Sequence, residues 1–316
     1  MATAPSPPRA SRALLIAPLV LLALFALACS IAWLALRGEA LRRLDDARAA
    51  LAAQGYRLTW ARRRVYGYPF RLDLAFAGAA AGEPTGWAAS APDLRAEAFV
   101  FAPGDWVIVA PEGLTVRRGA AAPALVARIA RASLSHFAER PPRLDIEAED
   151  VAFGPARASA PVALRSARTL LIDTRAGPNG QGALFVELDG ARARLPGLLG
   201  RIVAGGDADF SAAIAFSRAA ELAGRDWRAA LRAWSAAGGV LELRDVKLQT
   251  SQSLLQATSN VLAIGPDGRL AGAIEAQLTP PSGPRSGSPP PRVRIDFVGG
   301  QTRLGPALIG PAPRVF

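Results

Sequence analysis

The sequence contains a single cysteine, Cys29, and a single histidine, His136. Cys29 lies inside an apolar run near the N-terminus, so the rest of the chain lacks a cysteine for a disulfide, a thiolate nucleophile or a metal site. One histidine without cysteine partners is too few ligands for a usual zinc site. A Walker-type loop and a GxGxxG segment that opens a helix are also missing. We therefore expect no cofactor and no metal.

Lysine is nearly absent as well, because Lys247 stands alone among 37 basic residues, and the formal net charge is +11. The basic residues are spread along the chain without a run of five or more, which argues against a nucleic-acid-binding tail. Dispersed positive charge suits anionic lipid head groups or anionic envelope polysaccharide. A solubilising surface without a specific partner is the alternative.

Charge is absent from Ala13–Leu36, an apolar run of 24 residues. As a helix this run would be about 36 Å long, enough to cross a hydrocarbon core of about 30 Å. Leu41, Leu44 and Leu51 then continue at helical spacing as far as Gly55. We predict a cytoplasmic tail over residues 1–12, a single transmembrane helix over 13–36 and a helical stalk over 37–55.

Other interpretations of the apolar run remain open. A signal peptide would end at Ala26-Leu27-Ala28, and a lipoprotein would be cleaved before Cys29, but the run continues well beyond both. Orientation is also open. The count of arginines on the two sides favours a cytoplasmic C-terminal domain, whereas a basic segment before a first helix initiates export, and long domains translocate largely regardless of charge.

From residue 56 onward the apolar pattern changes from helical to alternating. Leu72, Leu74 and Phe76 alternate with Asp73 and Ala75, and residues 144–149, 210–216 and 241–244 repeat this pattern. Such alternation is typical of sheets with one apolar and one solvated face. We predict a mainly β fold, in which a curved antiparallel sheet with one or two short helices occupies residues 56–278. Residues 265–268, Gly-Pro-Asp-Gly, predict a hairpin.

Two short helices and a loop interrupt this pattern. Residues 195–203 form a weak helix candidate, and Asp226 would cap a stronger one with Trp227, Leu231 and Trp234 on one face, where we expect them to pack in the core. Residues 279–292 are rich in Pro, Gly and Ser and predict a loop. We predict a last strand and an extended tail over residues 293–316.

An acidic strand is the main candidate for chemistry. Asp145, Glu147 and Glu149 share one strand face, and such carboxylates bind Ca²⁺ or act as an acid–base pair when further groups join them. Together with His136 they define a hydrolase hypothesis, which a serine would join only through distortion of the strand. A solvated strand face and a structural histidine are the simpler interpretation, and we expect the protein not to be an enzyme.

Several phrases resemble an uncharacterised bacterial envelope family known as domain of unknown function 2125. They are Trp60 with the following arginines, then Gly67-Tyr68-Pro69-Phe70-Arg71-Leu72, Phe101-Ala102-Pro103 with residues 106–109, and the glycine-proline turns after Gly299. The resemblance implies an anchored protein whose domain faces the periplasm. It supplies no catalytic residues. We expect Gly67–Leu72 to be a structural corner between two strands, with Tyr68 and Phe70 packed at the end of the sheet.

Residues 238–278 show a looser similarity to the AsmA-like envelope proteins, which are associated with lipid movement along a curved, apolar-lined sheet. Together these features predict a single-pass inner-membrane protein with a periplasmic β domain that binds lipid or another hydrophobic ligand. The alternative is a structural or scaffold protein that binds envelope partners. An open apolar groove favours the first function, whereas a closed, filled core favours the second.

Overall fold

A computed structural model describes residues 12–119, 123–155, 163–195, 200, 206–224, 226–251, 253–259, 261–279 and 292–316, with side chains from Ala17 onward. As predicted, the fold is mainly β, with a long N-terminal helix and a large antiparallel sheet. The helix α1 spans Arg12–Ala53 and the short helix α2 spans Trp227–Ala236.

The described part of the sheet has nineteen strands. The first ten are β1 Arg57–Thr59, β2 Arg62–Tyr66, β3 Arg71–Gly82, β4 Trp87–Phe99, β5 Ala102–Ala110, β6 Leu114–Arg118, β7 Pro123–Ala127, β8 Ile129–Ser135, β9 Arg143–Phe153 and β10 Ala163–Ala176. The others are β11 Gly182–Arg194, β12 Ala208–Phe216, β13 Val240–Thr250, β14 Leu254–Thr258, β15 Leu262–Ile264, β16 Leu270–Thr279, β17 Arg292–Val298, β18 Gln301–Leu304 and β19 Ala307–Pro311.

Most neighbours in the sheet are consecutive in the chain, so the sheet grows as a meander of antiparallel pairs. The strands β2, β3, β4, β5, β8, β9 and β10 follow one another across the sheet, and β11, β12, β13, β14, β16 and β17 extend it. The short strands β6 and β7 form a hairpin. In this hairpin β6 pairs with the N-terminal end of β4, and β7 pairs with the C-terminal end of β9. Short turns make this order possible, because antiparallel neighbours need only hairpin connections.

A β-bulge in β13 keeps its apolar residues on one face. Leu241 and Leu243 alternate with polar residues, but Val246 and Leu248 have the opposite parity in the sequence. The register between β12 and β13 shifts after Ala213, so that all four apolar side chains are opposed to apolar residues of β12. One extra residue in a bulge moves a strand by one position, which restores the side-chain period.

The helix α1 continues without interruption beyond the apolar segment and ends shortly before the first strand of the sheet. It ends at Ala53, and Gly55 takes a left-handed conformation with φ of 85° before β1 starts. Beyond the apolar run, Asp45 accepts two hydrogen bonds from Arg63 on β2, at 2.6 and 2.9 Å. Among the described strands β2 pairs only with β3, so the helix lies along an edge strand of the sheet.

The helix α2 begins at the predicted cap. The Asp226 side chain accepts hydrogen bonds from the backbone of Arg228 and Ala229, both at 2.9 Å. Only part of the predicted apolar face is buried. Trp234 is enclosed and donates to the Ser217 carbonyl at 2.6 Å, whereas Trp227 is exposed at the first turn. Core packing was therefore correct for Trp234 and wrong for Trp227. The Trp234 ring is enclosed because it lies against the Gly239 backbone, where a Cβ atom would clash with the ring.

The C-terminal segment departs from the predicted single strand and extended tail. Residues 292–311 instead form three strands, β17, β18 and β19, which continue the same sheet. Left-handed Gly299, Gly300 and Gly305 supply the two tight turns between these strands. The predicted hairpin at residues 265–268 joins β15 to β16 and is confirmed. Most of the helix candidate at residues 195–203 and of the loop at 279–292 lies outside the described residues.

Candidate functional site

An apolar lane crosses thirteen strands of the sheet from β2 to β17. Each of its residues is directly opposed to the next one on the neighbouring strand, so the side chains share one face. They are Val65, Leu74, Ala96, Ile108, Ala132, Ile146, Ile172, Val186, Ala212, Val246, Ala257, Ala276 and Val293. At a strand spacing of about 4.8 Å, twelve intervals give the lane a length of roughly 58 Å.

A second apolar row runs beside the lane on the same face. Its members are Ala130, Ala148, Leu170, Leu188, Phe210, Leu248, Leu255 and Leu278. Together the rows form a groove of about 340 Å³ over β10 to β14. The residues that line this groove are all apolar: Leu164, Leu188, Ala191, Ala193, Leu195, Ala208, Phe210, Val246, Leu248, Leu255 and Ala257.

The lane is covered at one end and partly open over the rest of its length. Near β3, Leu44 from α1 packs against the buried cluster that includes Leu74 and Phe76. Further along, most lane residues are only half-buried, and Val293 at the far end is 40% exposed. The apolar face is therefore an accessible surface for much of its length. One buried core cluster, which includes Leu188 and Ala191, adjoins the groove, and another surrounds Leu262.

The opposite face of the sheet is charged, and its carboxylates lie close to arginines or lysine. Side chains two residues apart on a strand share a face, and this spacing recurs in the ion pairs of the sheet. Such pairs are Arg71–Asp73, Arg95–Asp93, Arg143–Asp145, Arg175–Asp173, Arg244–Glu242, Lys247–Asp245 and Arg294–Asp296. The alternation of the sequence thus produces a sheet with one apolar and one ionic face.

The acidic strand is part of this ionic face. Asp145 accepts a hydrogen bond from the Ser133 hydroxyl at 2.9 Å and faces Asp173 on β10. Hydrogen bonding with Asp173, supported by Ser133 and Arg143, holds the pKa of Asp145 below its usual range. Asp145 is therefore a stabilised anion at neutral pH and a weak proton acceptor. Glu149 instead pairs with Arg128 at 2.9 Å, away from Asp145.

His136 lies in the turn after β8, in a left-handed conformation with φ of 55°. Its Nδ1 atom is 3.0 Å from the hydroxyl of the adjacent Ser135, whereas Ser133 is hydrogen-bonded to Asp145. A catalytic triad needs one serine, the histidine and the carboxylate in a single chain of hydrogen bonds. Here Ser133 bonds to Asp145 and Ser135 contacts His136, so no single serine joins the histidine to the carboxylate. In the described residues, no group of three or more His, Cys, Asp or Glu side chains is arranged to hold a metal ion.

The segment Gly67–Leu72 forms the turn from β2 into β3. Gly67 has a φ of 100°, and a Cβ atom there would lie 2.7 Å from the Arg71 carbonyl oxygen and 2.9 Å from Asp73 Oδ2. The Arg71 amide donates to the Gly67 carbonyl at 2.8 Å, and the Tyr68–Pro69 peptide is cis. Leu72 and Asp73 are buried where the strand begins. Only glycine fits the first position of this turn.

The outer side of this turn contacts α1. The Tyr68 and Ser30 hydroxyls are 2.7 Å apart, and the Tyr68 ring meets the Trp33 ring edge-on with centroids 5.6 Å apart. Tyr68 and Phe70, which we expected to pack at the end of the sheet, are instead 55% and 56% exposed. No neighbouring element in the described chain covers the Phe70 ring.

A second turn, between β4 and β5, brings two further aromatic residues to the same place. The Val100 amide donates to the Phe70 carbonyl at 3.0 Å, which ties the two turns together. Phe99 and Phe101 stack with centroids 5.1 Å apart, yet Phe101 is 77% exposed. Sequence reasoning noted Phe101 within a motif but missed this cluster, because only strand pairing brings residues so distant in the chain together.

Comparison with known proteins places the chain in one family. The family of uncharacterised proteins conserved in bacteria, DUF2125, matches residues 33–283. This chain belongs to the DUF2125 family. The match begins at Trp33 and includes the turn at Gly67–Leu72, the apolar groove and the acidic strand, whereas the glycine-proline turns after Gly299 lie beyond it. No curated protein and no solved structure matches the chain.

The DUF2125 assignment confirms the family resemblance noted in the sequence, and no comparison shows the looser AsmA-like similarity. In the described chain, α1 is the one helix that is long and apolar enough to cross a membrane. Its length and composition fit a membrane anchor and also a signal sequence. The family carries no assigned activity, so function must be argued from the geometry.

Proposed function

We propose that this DUF2125 protein is a non-enzymatic envelope protein that binds lipid acyl chains along its apolar lane. In this proposal α1 remains in the inner membrane as an uncleaved anchor, and the β domain lies in the periplasm. The observation that carries the proposal is the lane itself, an apolar surface that runs continuously across thirteen strands and is half-exposed over most of its length. Exposed apolar surface of this extent usually marks a binding site.

The size and lining of the groove support an acyl chain as the ligand. A volume of about 340 Å³ lies within the range of roughly 300–1,000 Å³ that is usual for small-molecule sites. The described lining residues bring no charged side chain to the groove, so they select by shape and hydrophobicity. Burial of a methylene contributes about 0.8 kcal/mol, so ten buried methylenes would contribute about 8 kcal/mol before the costs of ordering the chain.

The position of the lane relative to α1 also supports a lipid ligand. The lane begins at Val65 on β2, the strand along which α1 lies, and Leu44 of α1 covers this end. A lipid that leaves the bilayer beside α1 would therefore pass Leu44 to reach the open part of the lane, which lies beyond β4. The positive charge of the chain favours contact with anionic head groups in the same region.

Photo-crosslinking distinguishes a lipid in the groove from lipid that surrounds the anchor. Full-length protein would be exposed to a phospholipid with a diazirine in its acyl chain, and the adducts would be mapped by mass spectrometry. We expect adducts in the peptides of β12 to β14, in addition to those in α1. Adducts confined to α1 and the turns beside it would overturn the lipid function, because any bilayer lipid would produce them.

Location needs a separate test, because the lipid experiment does not report it. Alkaline phosphatase, which is active only after export, would be fused after Phe316. We expect an active fusion and a β domain that is degraded by protease in spheroplasts. An inactive phosphatase together with an active cytoplasmic reporter at the same position would contradict the periplasmic location.

A scaffold function is the second candidate, favoured by the edge strand β19. In the part of the chain that the structure describes, this strand pairs only with β18, and its Leu308 and Ile309 side chains are exposed. An exposed edge with apolar side chains accepts a partner's strand by backbone hydrogen bonding. If the groove gives no lipid adducts, and crosslinks from position 308 reach a discrete protein that is lost on Leu308→Lys substitution, the scaffold function replaces the lipid function.

A further inference from the structure

We propose that Tyr68, Phe70, Phe99 and Phe101, hereafter the aromatic tip, enter the interface of the bilayer that α1 crosses. The β domain would then contact the membrane at a second place besides its anchor. This inference rests on the proposed function, because it requires α1 to span a membrane. It adds a membrane-binding surface on the domain itself and fixes which end of the sheet faces the lipid.

The contact between the aromatic tip and α1 determines how deep the tip lies in the bilayer. Tyr68 touches Ser30 and Trp33, and the Trp33 indole donates to the Arg71 carbonyl at 2.9 Å. Ser30 lies seven residues before Arg37, the first charge after the apolar run, which corresponds to about 10 Å along the helix. Ser30 is therefore inside the apolar segment. A helix that spans the bilayer holds the Tyr68 hydroxyl below the level of Arg37.

The depth of Trp33 follows from the length of the apolar run. If Ala13–Leu36 is centred in a hydrocarbon core of about 30 Å, the boundary of the core falls about ten residues from its midpoint, within a turn of Trp33. Tryptophan and tyrosine favour this boundary, where an apolar ring and a polar group are both satisfied. The pair of Trp33 and Tyr68 would thus lie at the level where both side chains are most stable.

The exposure of the phenylalanines has no explanation within the described chain. Phe70 and Phe101 are 56% and 77% exposed, and both lie on turns that are joined by the bond between Val100 and Phe70. Full burial of a phenylalanine side chain away from water is favourable by about 1.5–3 kcal/mol, and a ring that is exposed to water does not gain this free energy. The first turn is tied to α1 at the depth of the interface, and the second turn is bonded to the first. The bilayer is therefore the phase that covers both.

Charge next to the aromatic tip agrees with this orientation. A cleft of about 730 Å³ lies between α1 and β2 and contains Arg37, Arg63, Arg64 and Arg95 against the single carboxylate of Asp93. Arg63 and Arg95 form ion pairs, and in the described chain Arg37 and Arg64 have none. Arg37 follows the apolar run, so the cleft would lie at the level of the phospholipid phosphates. Anionic phospholipid is therefore the favoured membrane.

Depth-dependent fluorescence quenching tests the inference on the full chain. The protein would carry one cysteine labelled with the fluorophore NBD, in vesicles of phosphatidylglycerol and phosphatidylcholine that contain lipids with doxyl quenchers. Native Cys29 reports on α1. In a Cys29→Ser background, Phe101→Cys reports on the aromatic tip, and Glu112→Cys is the matched control. Glu112 is exposed in the turn after β5, at the opposite end of the strand that Phe101 precedes.

We expect doxyl lipids to quench the labels at positions 29 and 101 strongly, and to quench the label at 112 at least several-fold less. Quenching at 29 with none at 101 beyond the level of 112 would overturn the membrane contact while leaving the anchor intact. No quenching at 29 would overturn the anchor itself, and with it the proposed function. Equal quenching at 101 and 112 would also overturn the inference, since it would mean that the sheet lies flat on the membrane.

Discussion

The indole of Trp33 on α1 donates a hydrogen bond to the carbonyl of Arg71, the first residue of β3, across 2.9 Å. The same indole packs edge-on against Tyr68 and is buried despite its place in an apolar helix that is otherwise largely exposed. One side chain thus joins the candidate membrane span to the start of the longest strand pair in the N-terminal part of the sheet. We therefore expect loss of the Trp33 side chain to weaken the attachment of α1 to the β domain.

Substitution of Trp33 should destabilise the junction between α1 and the β domain. Trp33→Ala removes a buried aromatic ring, which costs about 3 kcal/mol, and Trp33→Phe should cost less because it removes the donor but keeps a ring. The measurement is the Tm of the detergent-solubilised full chain. Leu34→Ala is the control, since Leu34 is exposed on the adjacent position of the helix. Equal effects at positions 33 and 34 would show that the contact adds no stability.

Replacement of Gly67 should destabilise the turn between β2 and β3. In Gly67→Ala the new methyl group would lie 2.7 Å from the Arg71 carbonyl oxygen, in a left-handed conformation that costs about 1–3 kcal/mol for other residues. We expect a loss of about 2 kcal/mol or more in the free energy of unfolding, measured with urea. Gly104→Ala on β5 is the matched control, because a Cβ there meets no atom within 4 Å. A loss as large at Gly104 would contradict the explanation.

The groove should respond to charge on one face of β14 only. Ala257→Glu places a carboxylate among the apolar side chains of the groove, whereas Gln256→Glu places the same group on the ionic face one residue away. We expect Ala257→Glu to reduce photo-adducts in β12 to β14 by about tenfold, and Gln256→Glu to leave them unchanged. Ala257→Trp should also reduce them, because it fills the groove without a charge. Equal labelling of all variants would place the lipid elsewhere.

The two tryptophans of α2 should differ sharply in their effect on stability. Trp234→Phe leaves the Ser217 carbonyl without its donor in a buried site, which costs about 1–3 kcal/mol. Trp227→Phe affects an exposed ring and should change the free energy of unfolding by less than about 0.5 kcal/mol. Urea denaturation of the two variants provides the comparison. A similar loss for both would mean that helix propensity, not the bond to Ser217, sets the effect.

The contact between α1 and β2 should weaken in acid. The hydrogen bonds from Arg63 hold the pKa of Asp45 below its usual value, so this contact contributes stability above the unfolded pKa of about 4 and loses it as the pH falls through the lower folded pKa. We expect the difference in unfolding free energy between the native chain and Asp45→Asn to be constant above about pH 5 and to vanish in stronger acid. A difference that stays the same at every pH would show that Asp45 draws no stability from Arg63.

Local patterns in the sequence were sufficient for the class of fold and for several elements. The apolar run predicts α1, alternation predicts the strands, and Asp226 and residues 265–268 mark a cap and a hairpin. Each of these signals involves residues that are close in the sequence. Period alone could not separate buried Trp234 from exposed Trp227, because Trp234 is enclosed by Ser217 and Gly239, which lie outside the helix.

The candidate site depended on information that is not local. The lane exists because thirteen strands pair in registers that align Val65 with residues as distant as Val293. The aromatic tip likewise needs two turns that are separated by the whole of β3 and β4. The strands β18 and β19 were missed because glycine and proline dominate their turns and hide a short alternation. A register can be predicted from sequence only where a tight turn fixes it.

The bulge in β13 has a consequence for how this protein tolerates changes in length. Val246 and Leu248 reach the same face as Leu241 and Leu243 only because one extra residue sits between the two pairs. A deletion of one residue between Leu243 and Val246 would move one of the two pairs to the ionic face of the sheet. Deletions in the hairpin loops would leave the apolar residues of each strand on the apolar face. Homologous chains should therefore vary in length between strands and keep their spacing within this one.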